Sequence, residues 1–295
     1  MLPTTAAGAG PKEILGFARA ADEGGLHSVW VIDRLVYPLV DSLIALAAAA
    51  AVTTRVKLGT DVLIGPAHEP ALLAAQSASI DVLSGGRMIL GLGVGSREED
   101  YSVAGREFHT RGRRMEADTS TLRRIWAGDS LVEGFGALGP RPVNGTIPII
   151  FGGSSDRAMD RAARIGDGYA CVPRGLSRHK QQFEKFRALW SQHGRPGKPF
   201  LLAQGYFCID DNVERARERI GDYMLHYYGT RPRASGGTSG ESEWDLVGPP
   251  EAVAKAARGY LELGADVLVL IPASSDMAQA EKVAGTVQHL VNHCS

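Results

Sequence analysis

From one end of the chain to the other, stretches with apolar residues at helical spacing alternate with short, continuous apolar runs. Runs of about four to eight apolar residues bounded by turn signals are typical of strands that are buried on both faces of a parallel sheet. The helical stretches between them favour right-handed crossover helices, so the pattern predicts repeated βα units. The predicted strands are 28–33, 56–62, 87–93, 148–152, 168–172, 200–209 and 266–271.

The predicted helices begin and end at recognisable signals, such as Pro11 and Gly24 for the first helix and Asp41 before the second. They are 11–24, 41–53, 70–83, 111–127, 155–165, 178–193, 211–228, 250–263 and 276–292.

Seven strands are one fewer than a closed parallel barrel requires. The segment MLPTT resembles the tail of a strand, so either the first strand is clipped or the chain starts late. We predict an α/β fold, a single (β/α)8 TIM barrel over residues 1–295, with strand 1 truncated at the N-terminus.

Two segments interrupt this rhythm: the Gly/Pro-rich stretch 128–147, and 229–247, whose part 229–244 has low complexity. We predict surface excursions for both. Long loops in compact domains are often lids or binding segments, and for the second one disorder is an equal alternative.

Composition narrows the class of partner. With 32 Lys and Arg against 33 Asp and Glu, the net charge of -1 provides no global field for nucleic acid or an anionic membrane, so we expect a small-molecule substrate. The three cysteines form no CxxC pair, and the longest apolar run, 43–52, is too short to span a bilayer. We therefore expect a cytoplasmic protein.

The run SGGRMILGLGVGSREEDY (84–101) invites a nucleotide-binding interpretation, but it fails the Rossmann test. Gly91, Gly93 and Gly95 alternate along a strand, Ser96 replaces the third glycine, and no helix is predicted directly after them. Alternate glycines let a flat ligand or a neighbouring chain approach one face of a strand. They either make room for a ring system or relieve crowding inside a tight barrel.

This run, followed by RGRRME (111–116) and PIIFGGSSDRAMDRAARIGDGY (148–169), resembles the bacterial luciferase-like monooxygenase superfamily, especially its deazaflavin-dependent oxidoreductases. The resemblance covers about 16–169 and returns at 246–272. It implies coenzyme F(420), 8-hydroxy-5-deazaflavin, with FMN as the alternative.

The segment GGSSDRA stands where a strand meets a helix, so its backbone N–H groups can bind an anion or simply form a serine cap. The resemblance implies the former, with the coenzyme phosphate bound at Gly152, Gly153, Ser154 and Ser155.

The resemblance also implies a non-prolyl cis peptide between Asp61 and Val62, behind the coenzyme ring. The residues alone fit an ordinary trans peptide at the end of a strand. By the same resemblance, the ring would lie near Gly93, Gly95 and Ser96.

Asp33 ends the second βα strand of the barrel and is the leading polar candidate, as a catalytic and coenzyme-binding residue. Pairing with Arg34, or capping of the loop, is the alternative. Sugar-phosphate dehydrogenases of this family place a His after this Asp and a Glu after the glycine run. Here Arg34 and Ser96 stand in those places, which argues against that reaction and leaves no obvious acid–base pair.

Arg113, within the basic cluster 106–114, is a candidate contact for the coenzyme's anionic groups, although a solvated face explains the cluster too. Trp30, Tyr37, Phe108 and His226 line either an apolar substrate pocket or the core. We predict no metal site: His289 and His293 near Cys294 fit a helix C-terminus better than a ligand set.

The predicted function is hydride transfer between a deazaflavin coenzyme and a small organic substrate. One alternative is a two-component monooxygenase that takes reduced FMN from a partner flavin reductase. A second is a flavin- or deazaflavin-binding protein without catalysis. By resemblance we expect a homodimer.

Overall fold

The computed structural model describes residues 1–134, 136–229 and 246–292, with side chains described to residue 287. Nine parallel strands form one curled sheet within these ranges. They are β1 Ser28–Val31, β2 Lys57–Thr60, β3 Leu63–Ile64, β4 Met88–Gly93, β5 Ile149–Gly152, β6 Gly168–Ala170, β7 Phe200–Ile209, β8 Leu246–Gly248 and β9 Val267–Pro272.

Helices follow the strands and cover the outside of the sheet. Asp41 caps the second helix by accepting hydrogen bonds from the backbone N–H groups of Leu43 and Ile44, as predicted. The helices are α1 Pro11–Glu23, α2 Ser42–Val52, α3 Pro70–Leu83, α4 Glu98–Val103, α5 Arg111–Ala127, α6 Asp156–Ile165, α7 Gly175–Gln192, α8 Val213–Tyr228, α9 Pro250–Glu262 and α10 Met277–Asn292.

The strand order makes the sheet a barrel. β1, β2, β4, β5, β6 and β7 are neighbours in that order, and β9 pairs with β7 from Leu202 to Phe207. β3 extends the pairing of β4, and β8 pairs with the end of β7. The predicted α/β barrel class is confirmed.

Side chains of alternate strand residues fill the inside of this barrel, while the others pack beneath the helices. The interior cluster consists of Trp30, Ile89, Ile150, Ala170, Leu202, Val267 and Val269. Trp30 is 1% exposed and occupies the space beside Gly59, where a Cβ would lie 2.2 Å from the indole ring.

The first two residues, Met1 and Leu2, lie between β9 and β1 and form hydrogen bonds with both strands. Leu2 N donates to Trp30 O and Met1 N donates to Leu270 O, each at 2.8 Å. Below them lies an apolar cavity of about 470 Å³, lined among others by Phe17 and Leu268. No regular strand precedes α1 in the part of the chain that the structure describes.

Two features differ from the sequence-based expectation. The predicted loop 95–110 contains the short helix α4, which starts three residues after Gly95. The strand β8 begins inside the predicted excursion 229–247. Residues 230–245 of that excursion lie outside the described residues.

The excursion 128–147 connects α5 to β5 and therefore lies at the amino ends of the strands. Its Val143 N donates to Asp81 Oδ2 at 2.8 Å, at the end of α3. A role as a lid over the opposite end of the barrel is therefore ruled out. Among the described helices, none has the length and apolar character needed to cross a membrane.

Candidate functional site

The carboxyl ends of the parallel strands gather most of the predicted site residues at one rim of the barrel. Asp33 follows β1, Asp61 and Val62 follow β2, Gly95 and Ser96 follow β4, and Gly153 to Ser155 follow β5. This rim, which we call the mouth, is the end where the sites of such barrels are built.

At the mouth, β2 is interrupted and then resumes as β3. The peptide bond between Asp61 and Val62 is cis, as predicted. The side chain of Val62 fits between two glycines of neighbouring strands. A Cβ on Gly93 would lie 2.5 Å from Val62 Cγ2, and one on Gly152 would lie 3.0 Å from Val62 Cγ1. Val62 is only partly buried, so it presents a small apolar surface to the mouth.

The alternate glycines of β4 are explained by this packing. A Cβ on Gly91 would lie 1.9 Å from Thr60 O, which no side chain could tolerate. The expectation that these glycines open room for a ring is wrong at Gly91 and Gly93, because the neighbouring strand and Val62 fill that space. These two glycines relieve crowding inside the barrel.

The segment between β5 and α6 has the geometry of an anion site. Gly153 has φ +133°, a conformation that L side chains rarely adopt, and Ser155 caps α6 by accepting a hydrogen bond from Ala158 N. Ser154 and Ser155 are both exposed. A cavity of about 350 Å³ lies beside Ser154 and is otherwise lined by Arg174, Arg178 and Gln182. We call it the arginine cavity.

Gln182 contributes a buried donor to the arginine cavity. Its Oε1 accepts hydrogen bonds from Tyr169 Oη at 3.0 Å and from Cys171 Sγ at 2.7 Å. Burial raises the pKa of both the Tyr169 phenol and the Cys171 thiol well above their ordinary values, so both stay protonated donors. The amide Nε2 is buried without a hydrogen-bond partner, and Gln182 is 3% exposed.

Arg174, Arg178 and Gln182 were missed by sequence reasoning. The available signal was an Arg-x-x-x-Arg spacing directly after a strand that neighbours the GGSSDRA strand. The predicted helix began at 178, three residues later than α7 does, so this spacing was not placed on one helix face.

Asp33 points away from the inside of the barrel. Ile32 packs against a second apolar cluster, which includes Tyr206 of β7 and residues of α8. Asp33 Oδ1 instead accepts a hydrogen bond from Ser42 Oγ of α2 at 3.3 Å. Asp33 Oδ2 accepts from Ile64 N and contacts His68 Nε2, both at 2.9 Å. The carboxylate thus joins β1, α2 and the segment after β3. Its catalytic and coenzyme-binding roles stay predictions.

Arg34, next to Asp33, lies at the mouth against tyrosines. Its guanidinium carbon is 5.0 Å from the Tyr37 ring centroid and 5.3 Å from that of Tyr227 in α8. The predicted alternative pairing of Asp33 with Arg34 is wrong, since Asp33 pairs with His68.

Asp61 is buried inside the barrel below the mouth. Gln204 Nε2 lies 3.3 Å from Asp61 Oδ1 and 2.7 Å from Cys171 O, and Asp61 Oδ2 has no hydrogen-bond partner. Burial raises the pKa of Asp61 to about 7, although the nearby α-ammonium group of Met1 acts in the opposite direction.

The basic cluster does not converge on the arginine cavity. Arg113 is exposed on α5 and does not line the cavity. Arg106 Nη2 donates to His68 O, and Arg111 Nη1 donates to Phe108 O with its guanidinium over the Phe108 ring. Of the predicted aromatic residues, Trp30 is core, whereas Tyr37 contacts His226 at the mouth. The side chains of His289, His293 and Cys294 lie outside the described residues.

A family model for luciferase-like monooxygenases matches residues 2–267. The chain belongs to this family. A luciferase-like relative, the F420-dependent glucose-6-phosphate dehydrogenase of Amycolatopsis mediterranei (strain U-32), is 31% identical over 182 residues, which cover 55% of this chain and 54% of that protein. The FMNH(2)-dependent dimethylsulfone monooxygenase of Pseudomonas putida is 26% identical over 259 residues, covering 75% and 70%. The chain thus spans about half the length of the first relative.

Solved structures of the family share the fold. The crystal structure of monooxygenase RslO1 from Streptomyces bottropensis matches with a TM-score of 0.80 at 23% identity, covering 96% of this chain and 93% of that one. At this identity the likeness concerns the fold alone.

Proposed function

We propose that this luciferase-like chain is an oxidoreductase that transfers a hydride between a deazaflavin coenzyme, F(420), and a small organic substrate. One observation carries the proposal. The arginine cavity joins two arginines, the exposed Ser154 next to a helix N-terminus and Gln182, whose buried amide nitrogen has no partner, on the same rim as Val62. These are the donors that a coenzyme phosphate requires.

The residues present fit such a coenzyme. Ser154, Arg174, Arg178 and Gln182 would hold the phosphate, and the partly buried Val62 offers an apolar surface to a ring. A deazaflavin supplies a ring carbon that accepts or donates a hydride. The chain then has to orient the ring and exclude water, which requires alignment more than a dedicated acid–base pair. It also has to provide a group that exchanges a proton.

Asp61 is the buried group best placed to exchange a proton near neutral pH. Burial raises its pKa to about 7, and its Oδ2 has no hydrogen-bond partner. Asp33 holds the rim together through Ile64 N and His68, so we assign it a positioning role.

The relative from Amycolatopsis mediterranei favours F(420), and the one from Pseudomonas putida favours reduced FMN. The second candidate is therefore a two-component monooxygenase that receives reduced FMN from a flavin reductase. FMN also ends in a phosphate, so the arginine cavity serves both candidates.

Anaerobic titration of the purified protein with F(420) and with FMN, followed by fluorescence quenching, separates the candidates. Tight F(420) binding with reduction by a donor substrate supports the proposal, whereas oxygen-dependent turnover with reduced FMN supports the monooxygenase. Binding without turnover supports a non-catalytic binding protein, and binding of neither coenzyme contradicts all three.

The phosphate assignment is tested with Arg178→Gln and Arg174→Gln. Each should raise the Kd for the bound coenzyme about tenfold, because each removes a charge-assisted hydrogen bond near the protein surface. The matched control is Lys180→Gln, which removes the same charge from an exposed position of α7 that does not line the cavity. A ring-and-ribityl fragment without phosphate should bind the Arg178→Gln variant as well as it binds the unchanged protein. Equal losses for coenzyme and fragment would contradict the assignment.

A further inference from the structure

A second cationic site lies at the mouth, on the side away from the arginine cavity. Arg34 follows β1, and Arg97 precedes α4. Asp100 of α4 brings the two segments together, since its Oδ1 accepts hydrogen bonds from Leu35 N at 3.0 Å and from Val36 N at 2.8 Å. The residues next to Arg34 are thus bonded to the helix that starts at Arg97.

Tyr227 of α8 contacts Arg34. Arg34 Nη1 donates to Tyr227 O at 3.3 Å, and the Arg34 guanidinium lies over the Tyr227 ring, 5.3 Å from its centroid. Burial raises the pKa of the Tyr227 phenol, while the positive charges of Arg34 and Arg97 act in the opposite direction.

Both arginines have unused hydrogen-bonding capacity. The two hydrogen bonds of Arg34, to Tyr227 O and Val36 O, are long at 3.3 Å, and its buried Nε has no partner. Arg97 has a side-chain exposure of 32%, and its Nη1 lies 3.9 Å from Glu99 Oε1, which is too far for a hydrogen bond. An anion at this side of the mouth would give each guanidinium group a charge-assisted hydrogen bond.

The acidic groups nearest in sequence to Arg97 are Asp100 and Glu99. Asp100 is 1% exposed; its Oδ1 accepts hydrogen bonds from the backbone of the loop after β1, and its buried Oδ2 has no hydrogen-bond partner. Glu99 is exposed, and its Oε1 lies 3.9 Å from Arg97 Nη1. Among the described residues, neither carboxylate forms a bidentate pair with Arg34 or Arg97.

Aromatic surface lies next to this pair. Tyr228 is 45% exposed, and its hydroxyl is 2.6 Å from that of Tyr206. Tyr37 is partly exposed and packs edge-on against Tyr227 at 5.3 Å between ring centroids. A planar apolar group can lie on such rings while an attached anion reaches the arginines.

We infer that Arg34 and Arg97 form the specificity site for the substrate and bind the carboxylate of a small aromatic acid. The inference names the substrate class of the proposed function and rests on it. Its test uses ligand binding alone, so it can fail or succeed independently of hydride transfer.

The probes are benzoate and its neutral isostere benzamide, titrated calorimetrically into the protein without coenzyme. Benzoate should bind at least about tenfold more tightly than benzamide, because only the carboxylate forms charge-assisted hydrogen bonds with the arginines. Arg34→Gln and Arg97→Gln should each weaken benzoate about tenfold and leave benzamide within about twofold. Arg34→Lys, which keeps the charge, should retain part of the preference.

The matched control is Arg217→Gln, which removes a charge from an exposed position on the same helix as Tyr227 and should change neither affinity. A merely structural Arg34 would lower both affinities equally, and that result overturns the inference. So does equal binding of the two probes. If Arg34→Gln does not fold, Arg97→Gln decides, because Arg97 makes only a long contact.

A carboxylate also occurs in the glutamyl tail of F(420), and saturation with coenzyme distinguishes the two sources. Benzoate that still binds the saturated protein identifies a substrate group. Benzoate displaced by F(420) but not by FMN identifies the tail and overturns the inference. Failure of coenzyme binding in the earlier titration would instead contradict the proposed function and leave the benzoate result readable.

Discussion

At the scale of single residues, Val62 links the sequence to the mouth of the barrel. Its methyl groups take the space that side chains on Gly93 and Gly152 would need, so three strands hold it in one position. The glycine run therefore serves the site indirectly. It allows an apolar side chain of the neighbouring strand to lie where a coenzyme ring would rest.

Gly93→Ala tests this relation. The added Cβ would lie 2.5 Å from Val62 Cγ2, so Val62 has to move, at a cost of about 1–3 kcal/mol in the free energy of unfolding. We expect coenzyme affinity to fall at least about tenfold as well, measured by the same fluorescence titration.

Gly285→Ala on α10 is the control for that variant, because a Cβ there meets nothing within 4 Å. It should stabilise the protein by about 0.5–1 kcal/mol and leave affinity unchanged. If Gly93→Ala loses stability but keeps full affinity, Val62 does not support the ring.

Asp61 makes stability depend on pH. Its pKa is about 7 in the folded protein against an ordinary value of 3.8, so the folded state keeps a proton that the unfolded state has lost between these values. The contribution of Asp61 to the free energy of unfolding should therefore fall as pH rises from about 4 to 7 and stay low above it. The buried α-amino group of Met1, whose pKa burial lowers to about 5, contributes an opposing rise between about pH 5 and 8. Asp61→Asn should remove the Asp61 contribution and stabilise the protein at pH 8, by up to about 4 kcal/mol. Urea unfolding at pH 5 and pH 8 measures both effects.

Asp22 is a control for this experiment, because its pKa is lowered in the folded protein whereas that of Asp61 is raised. Partial burial raises its pKa, but hydrogen bonds from the backbone of Thr54, Val56 and Arg55 lower it more, to about 2. Its stabilising contribution is complete above pH about 4, so Asp22→Asn should lower the whole curve between pH 5 and 8 without changing its slope. A slope that persists in Asp61→Asn would show that another group titrates.

The residue types at the site were predictable, but their directions were not. The GGSSDRA segment and the Asp61–Val62 peptide could be placed from the sequence because each lies at the end of a predicted apolar strand. The direction of Asp33 depends on the alternation of Ile32 and Asp33 beyond the end of β1, and on Ser42 and His68 nearby in space. No local pattern contains that information.

At the scale of elements, strand and helix positions followed closely from apolar periodicity. β7, α3 and α5 begin and end at the predicted residues. The elements that were missed, β3, α4 and β8, have two to six residues, so they are too short to show a period. Their pairing with longer strands, or side-chain hydrogen bonds to other segments such as those of Asp100, stabilise them instead.

The excursion 128–147 is attached to the barrel through Asp81, which is 2% exposed. Asp81 Oδ1 accepts from Met88 N at the start of β4, and Oδ2 accepts from Val143 N. Asp81→Ala leaves both N–H groups unpaired and should lower the free energy of unfolding by about 2–4 kcal/mol, measured by urea unfolding.

Asp81→Asn is the comparison for that variant, since it keeps one acceptor oxygen and should lose less. Neither change should alter the Kd of the coenzyme, because Asp81 lies at the other end of the barrel from the mouth. A Kd that rises together with the loss of stability would mean that the two ends are coupled.

At the scale of the whole molecule, the contacts that stabilise the fold and the candidate binding sites lie at opposite ends of the barrel. The amino ends of the strands bear the buried contacts of Asp81, while the carboxyl ends bear the arginine cavity, Val62 and the Arg34–Arg97 pair. The net charge of -1 conceals this arrangement, because the cations that matter are grouped at one rim. Composition argued against a global basic field but could not show where on the barrel the arginines are grouped.

The filled interior around Trp30 has a kinetic consequence. Since Trp30, Ile89, Ile150 and Leu202 fill the barrel between its ends, a molecule that enters the mouth has no second exit. Two molecules that share one entrance have to bind and leave one after the other. The molecule that binds deeper has to bind first and leave last. Steady-state rates measured as a function of both molecules' concentrations should therefore show an ordered rather than a random binding sequence.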